Sequence, residues 1–260
     1  MSSLPTPTSL PDDLARHLRR LRADAAIIIL TGAGISRESG LHTFRDADGI
    51  WAKVRLEDVA TPGAFARDPD MVQGFYNARR RALLDPGVQP NPAHHALARL
   101  EREWQGPVLL VTQNVDDLHD RAGSTDLIAM HGELMKARCT ECGGLHPWTG
   151  DLSDTDTCAS CGRVGYLRPH IVWFGEMPLF MDRIGDALEA MEPNDLFISI
   201  GTSGNVYPAA GFVAEARAAG AVTVEVNLEA TDGAHLFHSG LYGPASQTVP
   251  SLVDALLAIR

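Results

Sequence analysis

The sequence predicts an α/β fold: a parallel sheet with helices on both faces, and one small module inserted after the third strand. Three observations carry that prediction. Five short runs of β-branched and apolar residues alternate with stretches of helical periodicity, the pattern of a buried parallel sheet. The first of them, Ile27-Ile28-Ile29-Leu30, breaks into Thr31-Gly32-Ala33-Gly34-Ile35-Ser36, a strand-to-loop-to-helix turn. Two Cys-x-x-Cys pairs lie in a segment that shows neither period. At 260 residues and 45% hydrophobic content, the chain has room for one large domain with an inserted module.

In chain order, residues 1–11 are rich in Pro, Ser and Thr and read as a flexible N-terminal tail. Leu14, Leu18 and Leu21 then recur at helical spacing, with Asp12 or Asp13 as the expected cap. The strand 27–30 follows. Residues 39–51 are polar and glycine-punctuated, with Phe44, Ile50 and Trp51 embedded, which marks a functional loop that orders against something. Helices are expected over 68–84 and 92–104. A second strand, 108–112, ends in Gln113-Asn114-Val115-Asp116, and a third, 127–130, ends in His131-Gly132-Glu133. Later strands at 196–200 and 222–226 end in Gly201-Thr202-Ser203 and Asn227-Leu228-Glu229, with helices expected at 179–191, 208–219 and 246–259.

In a sheet of this kind the ligand crevice lies beyond the carboxyl ends of the strands. All five ends here carry hydrogen-bonding side chains or glycines, the vocabulary of a polyhydroxylated phosphate ligand, so a dinucleotide is the leading candidate. The Gly-x-Gly turn alone is compatible with a tight turn that binds nothing, because Ser36 and Arg37 stand where a third glycine would complete the usual spacing.

Cys139, Cys142, Cys158 and Cys161 have the spacing of a four-thiolate zinc site, with fifteen residues between the pairs. Paired disulfides are the alternative, disfavoured in a cytoplasmic setting, and a redox motif would not need two copies. Four protein ligands close the coordination sphere, so the ion would hold the fold and take no part in the chemistry. A net charge of −11 argues against a nucleic-acid partner. No apolar run approaches a membrane span and the first twenty residues lack a signal-peptide centre, so no membrane association and a cytoplasmic location are expected.

Gly32-Ala33-Gly34-Ile35-Ser36, Phe44-Arg45, Thr112-Gln113-Asn114-Val115-Asp116-Asp117-Leu118-His119, His131-Gly132-Glu133, the four cysteines, Val172-Trp173-Phe174-Gly175-Glu176, Gly201-Thr202-Ser203 and Asn227-Leu228-Glu229 occur in the order seen in sirtuins. Over residues 20–258 the chain resembles that family of NAD-dependent protein-lysine deacylases, and in particular its class III, desuccinylase- and demalonylase-like type. One departure is Leu41-His42-Thr43, where many members have Ile-Pro-x before the Phe-Arg pair. The resemblance implies a Rossmann-like NAD-binding domain over 12–132 and 171–260. A zinc-ribbon module would occupy 133–170, with part of 41–90 packed against it.

The resemblance also implies roles. Gly32, Ala33 and Gly34 would receive the pyrophosphate, and Ser36 counts among the cofactor-binding residues. Gly201, Thr202, Ser203, Asn227, Leu228 and Glu229 would take the adenosine half, and Ala245 would meet adenine through its backbone. Phe44 would close over the nicotinamide pocket with Arg45 beside it, Trp51 counts among the cofactor-binding residues, and Gln113, Asn114 and Asp116 would hold the nicotinamide ribose and carboxamide. The acyl oxygen of the substrate would attack the ribose carbon, and His131 would then act as general base on a ribose hydroxyl. Histidine suits that role because a neutral imidazole accepts a proton near pH 7. The products would be free lysine, nicotinamide and O-acyl-ADP-ribose.

Tyr76 and Arg79, three apart on one helix face, match the pair that grips the acyl carboxylate in succinyl- and malonyl-preferring members, with Ala60 leaving room beside it. Without that context Arg79, in the run Arg79-Arg80-Arg81, would read as a solvated helix charge. Val172, Trp173, Phe174, Gly175 and Glu176 read as an edge segment that accepts an acylated-lysine peptide as an added strand, or else as a core strand between the modules. The rival activity is NAD-dependent ADP-ribosyl transfer to a protein; a binding module that does not consume NAD, and a dehydrogenase, rank below it.

Overall fold

A computed structural model describes residues 10–41 and 55–259 of the chain. Phe44, Arg45 and Trp51 lie outside the described residues, as does the loop departure at His42 and Thr43.

Helix α1 (Asp12–Leu18) leads into β1 (Ile27–Thr31), all five of whose residues are buried. A 3₁₀ helix (Ala33–Ser39) follows the glycine turn. Helices α2 (Leu56–Val59), α3 (Pro62–Arg67), α4 (Pro69–Leu83) and α5 (Pro92–Glu103) come next, each of the last three opening on proline. That residue suits a first turn, where its missing N–H has no partner in any case. Then come β2 (Val108–Thr112), α6 (Leu118–Ala122), β3 (Leu127–Ala129), β4 (Gly132–Cys139), β5 (Leu145–Pro147), β6 (Leu167–Ile171) and α7 (Met181–Glu189). The chain closes with β7 (Leu196–Ile200), α8 (Phe212–Ala218), β8 (Val222–Asn227), β9 (Ser239–Tyr242) and α9 (Ala245–Leu257).

Six strands form one parallel sheet in the order β3-β2-β1-β7-β8-β9. The chain leaves β1 towards β2 and β3 and returns on the other side to β7. The order therefore reverses between β1 and β7, where a ligand crevice opens in sheets of this topology. Side chains alternate across the sheet, and each face has its own core. Ile27, Ile29, Leu110 and Ile198 pack with Leu97 and Leu100 of α5 and Leu252 and Leu256 of α9. Ile28, Leu30, Val111 and Phe197 pack with Ile184 and Leu188 of α7 and Phe212 and Val213 of α8. The fold class predicted from sequence is the one observed.

A separate antiparallel sheet, β5-β4-β6, carries the cysteine-bearing segment. Its small core holds Cys139, Cys158, Leu152 and Leu167. Helices α2 to α4 pack between the two sheets through Val59, Ala60, Val72, Tyr76 and Leu83, which meet Leu134, Ile171 and Trp173.

Several local expectations change. Pro11, not an aspartate, occupies the N-cap of α1, and the Asp13 carboxylate accepts from Ser239 Oγ at 2.8 Å, tying α1 to β9. The turn after the glycines continues as 3₁₀ rather than α-helix. The helix expected over 208–219 begins as a 3₁₀ turn (Ala209–Gly211) before α8. Strands β4, β5, β6 and β9 went unread. β6, Leu-Arg-Pro-His-Ile, has no apolar run, and its polar residues are buried by contacts made only in three dimensions.

Candidate functional site

The site is built where β1 and β7 end side by side. Gly32 N–H donates to Ile200 O at 2.9 Å and Gly34 N–H to Gly201 O at 2.8 Å. The approach is so close that a Cβ on Gly34 would lie 2.7 Å from Gly201 Cα, and one on Gly201, at φ 61°, would lie 2.5 Å from Ile35 N. These glycines are therefore needed for the fold itself, and they also leave bare backbone facing the crevice.

A buried polar column stands beneath this loop. Asn114 Nδ2 donates to Gly32 O and to Ser36 Oγ, both at 3.2 Å, and Ser36 Oγ donates to Asp116 Oδ2 at 3.0 Å. Asp116 Oδ1 also accepts from Leu118 N–H at 3.1 Å. Burial pushes the Asp116 carboxyl up to about 6 in spite of these donors. Gln113 Nε2 reaches Thr202 Oγ1 at 3.0 Å, and Asn227 Nδ2 reaches Thr202 O at 2.9 Å, so the loops after β2, β7 and β8 share one network. Ser203, Leu228 and Glu229 extend the same rim, the last two exposed, and Ala245 opens α9. Bare glycine backbone flanked by amides, hydroxyls and a carboxylate matches a ligand that carries a diphosphate and ribose rings.

Two histidines that sequence reasoning did not single out belong to this column. His119 Nε2 donates to Thr31 Oγ1 at 3.0 Å, and Thr31 passes its own proton to Thr112 Oγ1 at 2.8 Å, which in turn accepts from Asn114 N–H at 3.1 Å. His94 Nδ1 accepts from Asn91 N–H at 3.3 Å in a capping box, which leaves its Nε2–H facing Ser36 Oγ at 3.5 Å. Burial lowers both imidazoles, His94 to about 4, so both are neutral. The spacing Asn91-Pro92-Ala93-His94 was the available signal, since an N-cap followed three residues on by a ring acceptor marks a held histidine.

His131 lies at the carboxyl end of β3. Its Nδ1 is 3.1 Å from Gln113 O, and a carbonyl only accepts, so Nδ1 carries the proton and Nε2 carries the lone pair. Burial holds the imidazole below its ordinary value, opposed by the Gln113 carbonyl. The ring is therefore an oriented neutral base.

On α4, Tyr76 is buried and its hydroxyl accepts from Trp173 Nε1 at 2.9 Å. Burial pushes the phenol up to about 12. Arg79 is half-buried and lies over the Phe75 ring, 5.8 Å from its centroid; burial lowers its guanidinium, opposed by the nearby Asp116 carboxylate. It is therefore not a solvated surface cation. Ala60 is buried in the same cluster as Tyr76 and Trp173, so these members of the expected acyl pocket are brought together.

Residues 172–176, read from sequence as an edge segment or else a core strand, lie outside the named strands, with a turn at 174–175. Val172 N–H donates to His131 O at 2.8 Å, Phe174 N–H to Ala60 O at 2.9 Å, and Trp173 N–H to Glu176 Oε2 at 2.8 Å. Glu176 takes both guanidinium nitrogens of Arg168, at 2.7 and 3.0 Å, while that cation lies 3.3 Å from the Trp173 ring centroid. Trp173 and Glu176 thus brace the turn, and Phe174 and Gly175 face outward. Sequence pattern alone missed this because the partner, Arg168, sits on β6.

The four cysteines converge, with all four Sγ atoms within 4.8 Å of one another. Cys139 and Cys161 are 3.8 Å apart and Cys142 and Cys158 3.7 Å. A tetrahedron with Zn–S bonds of about 2.3 Å has edges of about 3.8 Å. These distances fit zinc and are far longer than the ~2 Å of a disulfide.

Comparison with known proteins agrees with this geometry. The Sir2 family model matches residues 32–208. An NAD-dependent protein deacylase of Escherichia coli strain K12 is 58% identical over 231 residues, covering 89% of this chain and 82% of that protein. A crystal structure of a Sir2 homologue in complex with NAD superposes with a TM-score of 0.84 at 35% identity, covering 99% of this chain and 98% of that one. A Sir2 protein bound to a myristoylated histone peptide superposes with a TM-score of 0.71 at 29% identity, covering 95% of each. On the family match and the 58% identity together, the chain belongs to the Sir2 family.

Proposed function

We propose that this NAD-dependent protein deacylase removes succinyl and malonyl groups, and also acetyl groups, from lysine side chains, releasing nicotinamide and O-acyl-ADP-ribose. The observation that carries the reading is the hydrogen bond from His131 Nδ1 to Gln113 O, which leaves a basic Nε2 on a neutral ring at the rim of the crevice. Bound NAD supplies an electrophilic ribose carbon and nicotinamide as the leaving group. His131 takes the proton from a ribose hydroxyl at Nε2 and later returns it. Asn114, Ser36 and Asp116 hold the ribose and carboxamide side, and Gln113 is kept in place by Thr202. The backbone at Gly32, Ala33 and Gly34 faces the pyrophosphate. Gly201, Ser203, Asn227, Leu228, Glu229 and the Ala245 backbone take the adenosine half. Four cysteines suited to zinc hold the small sheet away from this chemistry.

The acyl preference rests on Tyr76. An indole N–H can only donate, so the Tyr76 oxygen accepts from Trp173 and the phenolic proton stays available for another acceptor. With its titration near 12 the phenol remains a donor at every working pH. Beside it, the Arg79 guanidinium offers charge-assisted hydrogen bonds to a carboxylate. Ala60 leaves space for the chain between lysine and acid. The substrate peptide lies extended along Phe174 and Gly175 and uses main-chain contacts, so broad sequence tolerance follows. A charge of −11 supports no nucleic-acid partner, and among the described residues no helix is long and apolar enough to cross a membrane.

The test is mass spectrometry of matched succinyl-lysine and acetyl-lysine peptides incubated with the full chain, with and without NAD. NAD-dependent loss of succinyl at the faster rate supports the reading. Faster loss of acetyl discards the acid pocket, and ADP-ribosylated product with no deacylation moves the assignment to ADP-ribosyl transfer.

A further inference from the structure

Helix α4 carries two stripes of side chains, and they do different work. Tyr76 meets Trp173, and Arg79 lies within electrostatic reach of Asp116. Gln73, Asn77 and Arg80, at i, i+4 and i+7, share a neighbouring stripe and face the cysteine-bearing sheet. All three bond to backbone of that module or of β4. Gln73 Nε2 donates to Leu167 O at 3.2 Å. Asn77 pairs with Leu152 as a strand would, its Nδ2 donating to Leu152 O at 2.9 Å and its Oδ1 accepting from Leu152 N–H at 2.8 Å. Arg80 is fully buried; its Nε donates to Leu134 O at 3.0 Å, and its Nη1 to Gly150 O at 3.1 Å and Asn77 Oδ1 at 2.9 Å.

The metal enters through the partners. Leu152 and Leu167 share one small core with Cys139 and Cys158. Leu152 is six residues before Cys158, and its segment has no regular hydrogen-bonded ladder of its own. Its backbone is held by Asn77 on one side and by packing beside Cys139 and Cys158 on the other, with further contacts from Arg81 to Asp151, Trp148 Nε1 to Asp151 O and Ser153 N–H to Asp156 Oδ2. Burying a guanidinium costs more than burying an apolar side chain of its size, and what the Arg80 fork supplies in return is fixed direction as well as distance.

We propose that Gln73, Asn77 and Arg80 are positioning residues that couple the metal-binding module to acyl recognition. By fastening α4 to the backbone at 134, 150, 152 and 167, they set the rotation of the helix and so the placement of Tyr76 and Arg79. Zinc bound by the four cysteines then governs selectivity for acidic acyl groups at a distance, and loss of the metal loosens α4 before the six-stranded sheet. The acyl-selectivity half of this inference rests on the Tyr76–Arg79 reading above; the anchoring half does not.

The experiment uses the full-length, zinc-loaded protein and the variants Arg80→Met, Gln73→Leu and Arg79→Met. Kinetics on matched succinyl and acetyl peptides are read together with hydrogen–deuterium exchange over residues 69–83 and zinc content. For Arg80→Met, KM for the succinyl peptide rises about tenfold, the scale of one weakened charge-assisted hydrogen bond, while KM for the acetyl peptide and for NAD moves less than about twofold. Exchange over 69–83 accelerates and zinc content stays as in the parent. Gln73→Leu, which removes one neutral hydrogen bond, gives the same pattern at about threefold and serves if Arg80→Met fails to fold. In the parent, chelation of zinc speeds exchange over 69–83 before it speeds exchange in β1.

Equal losses on both peptides, or unchanged exchange over 69–83 in the variants, overturns the coupling. So does simultaneous release of α4 and β1 on chelation. If Arg79→Met leaves the ratio of succinyl to acetyl turnover unchanged, the acid-pocket reading fails, and with it the selectivity half. The exchange data then still decide the anchor on their own.

Discussion

Replacing Tyr76 with phenylalanine separates two roles of one hydroxyl. In the folded protein the Tyr76 oxygen is the acceptor for Trp173 Nε1, and both side chains are buried. Tyr76→Phe leaves the indole N–H without that acceptor, which costs about 1–3 kcal/mol of stability. For a domain of this size that is a fall in Tm of roughly 2 to 12 °C. The same change removes the phenolic donor to a substrate carboxylate, worth about 1.5–3 kcal/mol, or about 10- to 150-fold in kcat/KM for a succinyl peptide. An acetyl group has no carboxylate, so its turnover below the melting range stays within about threefold of the parent. The assay is calorimetry together with kcat/KM on the two peptides at a temperature well below both transitions. An unchanged Tm refutes the buried hydrogen bond, and an equal loss on both peptides refutes the carboxylate contact.

Further expectations can be checked directly. Arg79→Met lowers desuccinylation about 30-fold or more relative to deacetylation, because a cation in direct contact with the acyl carboxylate is lost; equal losses would refute the pairing. His131→Ala reduces turnover by about a hundredfold or more while zinc content, measured by mass spectrometry, is unchanged. Burial holds the His131 imidazole below its ordinary value. Its basic form therefore persists to lower pH, and the acid limb of the kcat profile inflects below about 6.5; an inflection above that point contradicts the neutral-base role. Asp116, with its carboxyl raised to about 6, favours its protonated form when folded. That contribution is complete below the ordinary carboxylate value and is lost as pH rises through about 6. Asp116→Asn accordingly raises Tm at pH 8 but not at pH 4, while impairing turnover. An identical gain at both pH values would show that the carboxyl is not perturbed.

Much of the site was legible because it sits at strand ends. Buried strands announce themselves by apolar runs, and the polar residues that terminate them must point into the crevice of a parallel sheet. Gln113, Asn114, Asp116, His131 and Thr202 were reached in this way, and the cysteine spacing reached the cluster whose four sulfurs lie within 4.8 Å of one another. His94 and Arg80 were given no role, and His119 entered only as the end of a motif. Each is a polar residue inside a helix, and a helical period cannot tell a buried polar position from a solvated one until the partner is known. The bracing of residues 172–176 was hidden for the same reason, since the partner of Glu176 is Arg168, which lies on a strand with no apolar signature.

By itself, then, the sequence determined the class of fold, the five buried strands β1, β2, β3, β7 and β8 and the longer helices between them, the metal-ligand set and the side chains at those strand ends. These are consequences of local periodicity and of spacings that residue chemistry reads directly. Tertiary structure alone decided that β1 and β7 are neighbours, so that Gly34 and Gly201 touch and the crevice opens there. It also decided that Tyr76 meets Trp173, ninety-seven residues away, and that α4 is tied to the cysteine module through Arg80. Pairings of that kind are set by which surfaces exclude water together across the whole chain, and no window of sequence contains both partners.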